Sequence, residues 1–229
     1  MLNNTIIMNN LNIIKKEINE ACKIADRKES AINLVAVSKT IGATYICEAA
    51  EYGQVCFGEN KVQEAVKKWP PIKKLYPKTR LHMIGPLQSN KVKEALQVFD
   101  VIETVDREKI VIELKKNMDI NNQQPFPELY VQVNIGEEKQ KNGCSPIAAK
   151  TFIADCLSYG LNITGLMGIP PVHEDPAPYF ALLRKIAKES CLNNISMGMS
   201  SDFEKAIYLG ATSIRVGTKI FGEREAIKN

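Results

Sequence analysis

Lys39 closes the run LVAVSKT at residues 34–40, in which Leu34, Val35, Ala36 and Val37 carry no polar side-chain atom. Such a run suits a strand buried on both faces, with Ser38 and Lys39 where it meets its loop. A lysine there either snorkels to water, as most lysines do, or is held for chemistry. Near the other end of the chain, IRVGTKIFG places Arg215 inside a second apolar run, followed by Gly217 and the hydroxyl of Thr218. A guanidinium between Ile214 and Val216 cannot shed its charge and needs an acceptor. In MGMSSD, Ser200 and Ser201 read as the N-cap of a following helix, with Asp202 in its first turn. Taken blandly, these are only a cap and a turn. Taken together, hydroxyls beside a glycine that admits backbone N–H groups form a phosphate cradle. If Lys39 and Arg215 meet that cradle at one mouth, the set asks for an anionic cofactor bearing an aldehyde. Pyridoxal 5′-phosphate (PLP) answers both demands.

The elements that must bring these residues together are legible as an alternation. Residues 5–28 place Leu11, Ile14, Ile18, Ala21 and Ala25 at helical spacing, which predicts an amphipathic helix ahead of the first strand. Eight apolar strand candidates follow, at 33–39, 54–60, 81–85, 100–105, 128–134, 162–169, 194–200 and 212–218, with helical stretches between them. Eight parallel strands predict a (β/α)8 TIM barrel or an open doubly wound sheet. No GxGxxG turn follows the first strand, and the barrel is preferred. The whole chain, 1–229, then forms a single domain, with one candidate insertion around NGCSP.

Barrel chemistry sits at the C-terminal ends of the strands, and phosphate recurs at the loops after the seventh and eighth. That face collects Lys39, Asn60, Asn134, Ser200 and Ser201 at strand ends, with His82 within the third strand, Met167 late in the sixth and Arg215 in the eighth.

Composition narrows the function classes. Of 229 residues, 24% are charged and the net charge is +4, which is ordinary for a soluble protein. The lysine pairs, such as Lys67-Lys68 and Lys73-Lys74, read as solvated helix faces or a Pro-flanked loop, without the aromatics of a nucleic-acid surface. Six cysteines at irregular spacing and two distant histidines predict neither a metal site nor a disulfide framework. With no apolar stretch of membrane length, a cytoplasmic protein with no membrane or nucleic-acid partner is expected.

The motifs LVAVSKT, FGENKVQE, HMIGPLQSNK, VNIGEEKQKNG, GLMGIP, SMGMSSDFEKAI and IRVGTKIFGER span nearly the whole chain. In them the sequence resembles the YggS-type PLP homeostasis proteins, which are similar to the barrel half of alanine racemase. The resemblance implies that Lys39 carries the cofactor as an internal aldimine. It further implies that Ser200, Gly217 and Thr218 hold the phosphate, that Arg215 faces the pyridine nitrogen, and that Asn60, His82 and Met167 line the ring. The sequence departs from the family pattern at Leu81 and Met83, where aromatic residues usually flank the histidine. The resemblance implies binding and buffering of PLP by a monomer, with no dedicated reaction, and delivery to apo PLP-dependent enzymes as a further role. The alternative is an amino-acid racemase or lyase using Lys39 as base, with Tyr45, Cys47 or His82 as the second acid/base. A phosphosugar-handling barrel with Lys39 as an aldolase lysine is a third reading.

Overall fold

The computed structural model describes residues 4–121 and 125–222. Its eight strands close into one parallel barrel in sequence order. They are β1 (Asn33–Val37), β2 (Cys56–Glu59), β3 (Arg80–Met83), β4 (Val101–Val105), β5 (Glu128–Val133), β6 (Ile163–Gly168), β7 (Asn194–Met199) and β8 (Ser213–Val216). Closure is made where β1 pairs with β8, Val35 opposite Arg215, while Val35 also faces Cys56 across the β1–β2 ladder. The strand outer faces and the helices bury one contiguous apolar core, with Phe57, Trp69, Phe180 and Phe203 among its largest members.

The helices are α1 (Asn4–Ile24), α2 (Ala43–Glu51), α3 (Val62–Leu75), α4 (Val92–Val98), α5 (Glu108–Asn121), α6 (Pro146–Ser158), α7 (Ala177–Glu189), α8 (Phe203–Tyr208) and α9 (Thr218–Phe221). The expected extra N-terminal helix is α1, whose Leu11, Ile14 and Ile18 are buried. The NGCSP segment behaves as an insertion: Asn134 and Gln132 bond the backbone of Cys144, so a loop returns to the end of β5 before α6 begins. No helix among the described residues is long and apolar enough to cross a membrane.

Three local expectations are corrected. The stretch containing Lys73 and Lys74 is not a loop, because α3 continues through Pro70 and Pro71, where burial of Trp69 and Ile72 outweighs poor propensity. Lys67-Lys68 is not a uniformly solvated pair, since the Lys68 side chain is 11% exposed and faces inward. The N-cap of α8 is Asp202 rather than Ser200 or Ser201, and its Oδ1 accepts the Met199 N–H at 2.6 Å. Ser200 and Ser201 are thereby left out of the cap.

Candidate functional site

Lys39 stands two residues past the end of β1 and is half-buried, on a turn whose next residue, Thr40, has φ 64°. A β-branched residue in the left-handed region is strained by on the order of 1–3 kcal/mol and persists only when its surroundings hold it. Here the hold is explicit. Glu64 accepts the Thr40 N–H at 2.9 Å, and Thr40 Oγ1 donates to the Lys39 carbonyl at 2.6 Å. Lys68 Nζ donates to the carbonyls of Ser38 and Ile41 at 2.9 and 3.2 Å, gripping the turn on both sides of Lys39. The same ammonium lies 2.8 Å from both Glu59 and Glu64. Glu59, fully buried, also accepts from Ser38 Oγ and Trp69 Nε1. The lysine bonds hold the Glu64 carboxyl below its ordinary range, although burial alone would raise it. Sequence reading missed this clamp because its lysine stands in a charged pair. The signal it offered was a glutamate inside the apolar FGEN run.

A second polar assembly fills the barrel interior. Arg215, 4% exposed, donates to Ser196 Oγ at 2.6 Å and to the Gly168 carbonyl at 3.1 Å. Ser196 donates to Glu103 Oε2 at 2.6 Å, and Glu103 Oε1 lies 2.7 Å from His82 Nδ1. Arg215 reaches Glu103 itself only at 3.9 Å. The acceptor that Arg215 requires is thus supplied by the protein. Burial lowers the Arg215 pKa, and Glu103 partly offsets that. Burial acts against charge on His82, yet the Cys56 side chain and the hydrogen bond donated by Nδ1 to the Glu103 carboxylate carry its pKa up to about 9. Burial would raise Glu103, but His82 and then Arg215 hold it below the ordinary carboxylate range. One buried carboxylate therefore serves two cations.

At the C-terminal mouth, Ser200 Oγ and Thr218 Oγ1 stand 3.3 Å apart, bringing the loops after β7 and β8 together. Gly217 lies between Arg215 and Thr218, where a Cβ would come within 3.3 Å of the Val37 side chain at the end of β1. A cavity of about 250 Å³ at the ends of β2, β3, β5 and β6 is lined by Asn60, Gly85, Gln132 and Asn134 among others. Gly85 seats the β3 loop on the Asn60 backbone, because a Cβ there would fall 2.3 Å from the Asn60 carbonyl oxygen. Met167 is fully buried in β6, register partner of Ser196. Lys39, Asn60, Ser200, Gly217 and Thr218 are therefore gathered at strand ends on one face, with Met167, His82 and Arg215 within the strands below. Tyr45 and Cys47 lie on α2, outside the strand ring. Among the described residues, no group of three His, Cys, Asp or Glu side chains could hold a metal ion.

Residues 10–225 match the alanine racemase N-terminal domain family. The chain is 38% identical to the pyridoxal phosphate homeostasis protein of Vibrio cholerae, over 97% of this chain and 98% of that one. It belongs to that family. The homeostasis protein of Aquifex aeolicus is 37% identical over 94% of this chain and 97% of its own. Among solved structures, PipY of Synechococcus elongatus with PLP bound is 32% identical, superposes with TM-score 0.75, and covers 90% of this chain and all of that one. Alanine racemase of Clostridium difficile, at 12% identity and TM-score 0.73, shares the barrel fold. The match there covers 97% of this chain and 58% of the racemase. The homeostasis-protein family and the (β/α)8 barrel expected from the sequence are both present in this chain.

Proposed function

We propose that this homeostasis-family member binds PLP and holds it in reserve, without a dedicated reaction of its own. The observation that supports the reading is an amine and paired hydroxyls at the strand ends of one barrel face, with a buried guanidinium within the strands below them. The donor set fits a phosphorylated aldehyde. Ser200 and Thr218 present hydroxyls for the phosphate oxygens, and Gly217 keeps the intervening backbone free of a side chain. Lys39 supplies the nitrogen that bonds the aldehyde carbon. Arg215 is the cation assigned to the ring nitrogen, with Asn60, Met167 and His82 around or beneath the ring. PLP bound to a lysine supplies an electron sink for carbanion chemistry. A guanidinium opposite the ring nitrogen disfavours its protonation and so weakens that sink. The resulting site retains cofactor and keeps it chemically quiet. That property suits a reservoir, whose recipients are apo-enzymes dependent on PLP.

The test is titration of the purified chain with PLP, followed by borohydride reduction and peptide mapping. Visible absorption with the label on Lys39 is the expected result. Label on another lysine, or none, overturns the assignment. Holo-protein incubated with single L-amino acids in deuterated solvent should show no exchange of the α-proton. Rapid exchange would make it an enzyme.

A further inference from the structure

The two hydroxyls assigned to the phosphate stand on loops that reach past the sheet. The last pair of the β7–β8 ladder is Met199 opposite Arg215, so Ser200 and Thr218 lie beyond it. Each loop runs straight into a short helix, Ser200 towards α8 and Gly217 into α9, and α1 packs against both helices. α8 is seated on β7 from beneath, because Gly198 has φ 90° and a Cβ there would fall 2.5 Å from the Ala206 Cβ. α9 is four residues long, too short to persist as a helix by itself. What holds it comes from α1.

α1 buries Ile7, Leu11, Ile14 and Ile18, and its polar side chains bond the same neighbours. Asn10 Nδ2 donates to the Ile220 carbonyl of α9 at 2.9 Å. Two turns further along α1, Glu17 Oε2 accepts from Lys219 Nζ at 2.9 Å, and Lys219 is the residue after Thr218. The same ammonium lies 4.9 Å from the ring centroid of Phe203, the first residue of α8, so Lys219 joins α1, α8 and α9 at one point. Just past α1, Arg27 Nη1 donates to the carbonyls of Ile207 and Ala211 at 2.8 and 2.7 Å and grips the far end of α8.

We propose that α1 positions the phosphate-holding loops, with Asn10 and Glu17 as positioning residues that set how strongly the site prefers a phosphorylated aldehyde to an unphosphorylated one. A binding loop held in its bound arrangement raises affinity because less ordering remains to be done when the ligand arrives. Neither residue touches the cofactor; both act through α9 on the spacing of Thr218 from Ser200. The inference rests on the placement of the phosphate at those two hydroxyls. It makes the helix that precedes the barrel part of the retention machinery.

The experiment titrates the purified full-length chain with PLP and, separately, with pyridoxal, which carries the same aldehyde and ring but no phosphate. Asn10→Ala and Glu17→Gln should each lower PLP affinity by roughly two- to tenfold, the worth of one hydrogen bond, and leave pyridoxal affinity unchanged. A role confined to general stability would lower both affinities together. Ser200→Ala reports on the hydroxyls directly and should also lower PLP affinity alone. Circular dichroism checks folding, and if Asn10→Ala does not fold, Glu17→Gln decides, since its side chain is partly exposed. Folded α1 variants with the wild-type ratio of PLP to pyridoxal affinity, beside a Ser200→Ala protein whose ratio falls, would overturn the inference and leave the phosphate site standing. An unchanged ratio in Ser200→Ala would remove the phosphate from these loops and the inference with it.

Discussion

The ammonium of Lys68 donates to the carbonyl oxygen of Ser38 at 2.9 Å, one residue before the lysine at the end of β1. Its other partners are the Ile41 carbonyl, Glu64 and the buried Glu59, so a single side chain fixes both sides of the strained Thr40. The position of Lys39 is therefore set from α3 behind it.

Replacing Lys68 by Met should leave Glu59 buried without its cation. Breaking one partner of a buried pair costs about 3–5 kcal/mol. The chain should unfold at correspondingly lower denaturant. At temperatures where it remains folded, borohydride trapping of PLP on Lys39 should also be slower than in wild type. A Lys68→Met protein with wild-type stability and trapping rate would remove Lys68 from the clamp.

The hydroxyl pair makes a separable prediction. Ser200 is half-buried and Thr218 exposed, and the α8 cap belongs to Asp202, so neither hydroxyl is needed to form the helix. Ser200→Ala and Thr218→Ala should each lose a charge-assisted hydrogen bond to phosphate, about 1.5–3 kcal/mol or roughly tenfold or more in PLP affinity. Melting temperature without cofactor should not change. Fluorescence titration checks the first outcome and calorimetry the second. Unchanged affinity in both variants would move the phosphate elsewhere.

What could be read from sequence divides along a physical line. The barrel was legible because eight apolar runs alternate with helical periodicity, a pattern that depends only on neighbouring residues. Residues at strand ends were legible for the same reason, since the topology fixes which end carries the loops. Pairings across the barrel were not. Arg215 declared its need for an acceptor, but nothing local names Ser196, 19 positions away, or the Gly168 carbonyl. Glu103 gave a weaker sign, a carboxylate in a strand whose five residues are all buried. Lys68 gave none, because a helical lysine next to another looks solvated until α3 is docked.

His82 ties stability to pH. Its folded pKa, about 9, stands above the unfolded value near 6.5, so its contribution is fully present below pH 6.5 and is lost as pH rises through 9. The difference corresponds to at most about 3 kcal/mol. Glu103 acts in the opposite direction: its folded pKa is depressed, so its contribution holds above pH 4.5 and disappears as pH falls through the folded value. Urea unfolding of wild type should therefore give lower stability at pH 9.5 than at pH 6.5, and His82→Gln should flatten that decline. A decline of equal size in the variant would assign it to another group.

The Arg215–Glu103 relationship governs how the site answers a reversal of charge at position 215. If Arg215 faces the ring nitrogen as proposed, changing it to Glu would favour the protonated ring nitrogen of PLP and make the site more reactive. In this barrel the new carboxylate would stand near Glu103, which lies 3.9 Å from the present guanidinium and is fully buried. Glu103 would then keep His82 as its sole cation and face a like charge, a loss of about 3–5 kcal/mol. Arg215→Glu alone should therefore be destabilised, with its midpoint shifted well below wild type in denaturant. Adding Glu103→Gln removes the repulsion while leaving an amide to accept from Ser196 or His82, so the double variant should recover much of the loss. With Lys39, Ser200 and Thr218 intact, the double variant should still bind PLP. Added amino acids should then convert PLP to pyridoxamine 5′-phosphate faster than in wild type, because a carboxylate now favours the protonated ring nitrogen. A folded, cofactor-loaded double variant no more reactive than wild type would show that Arg215 is not what keeps the cofactor quiet.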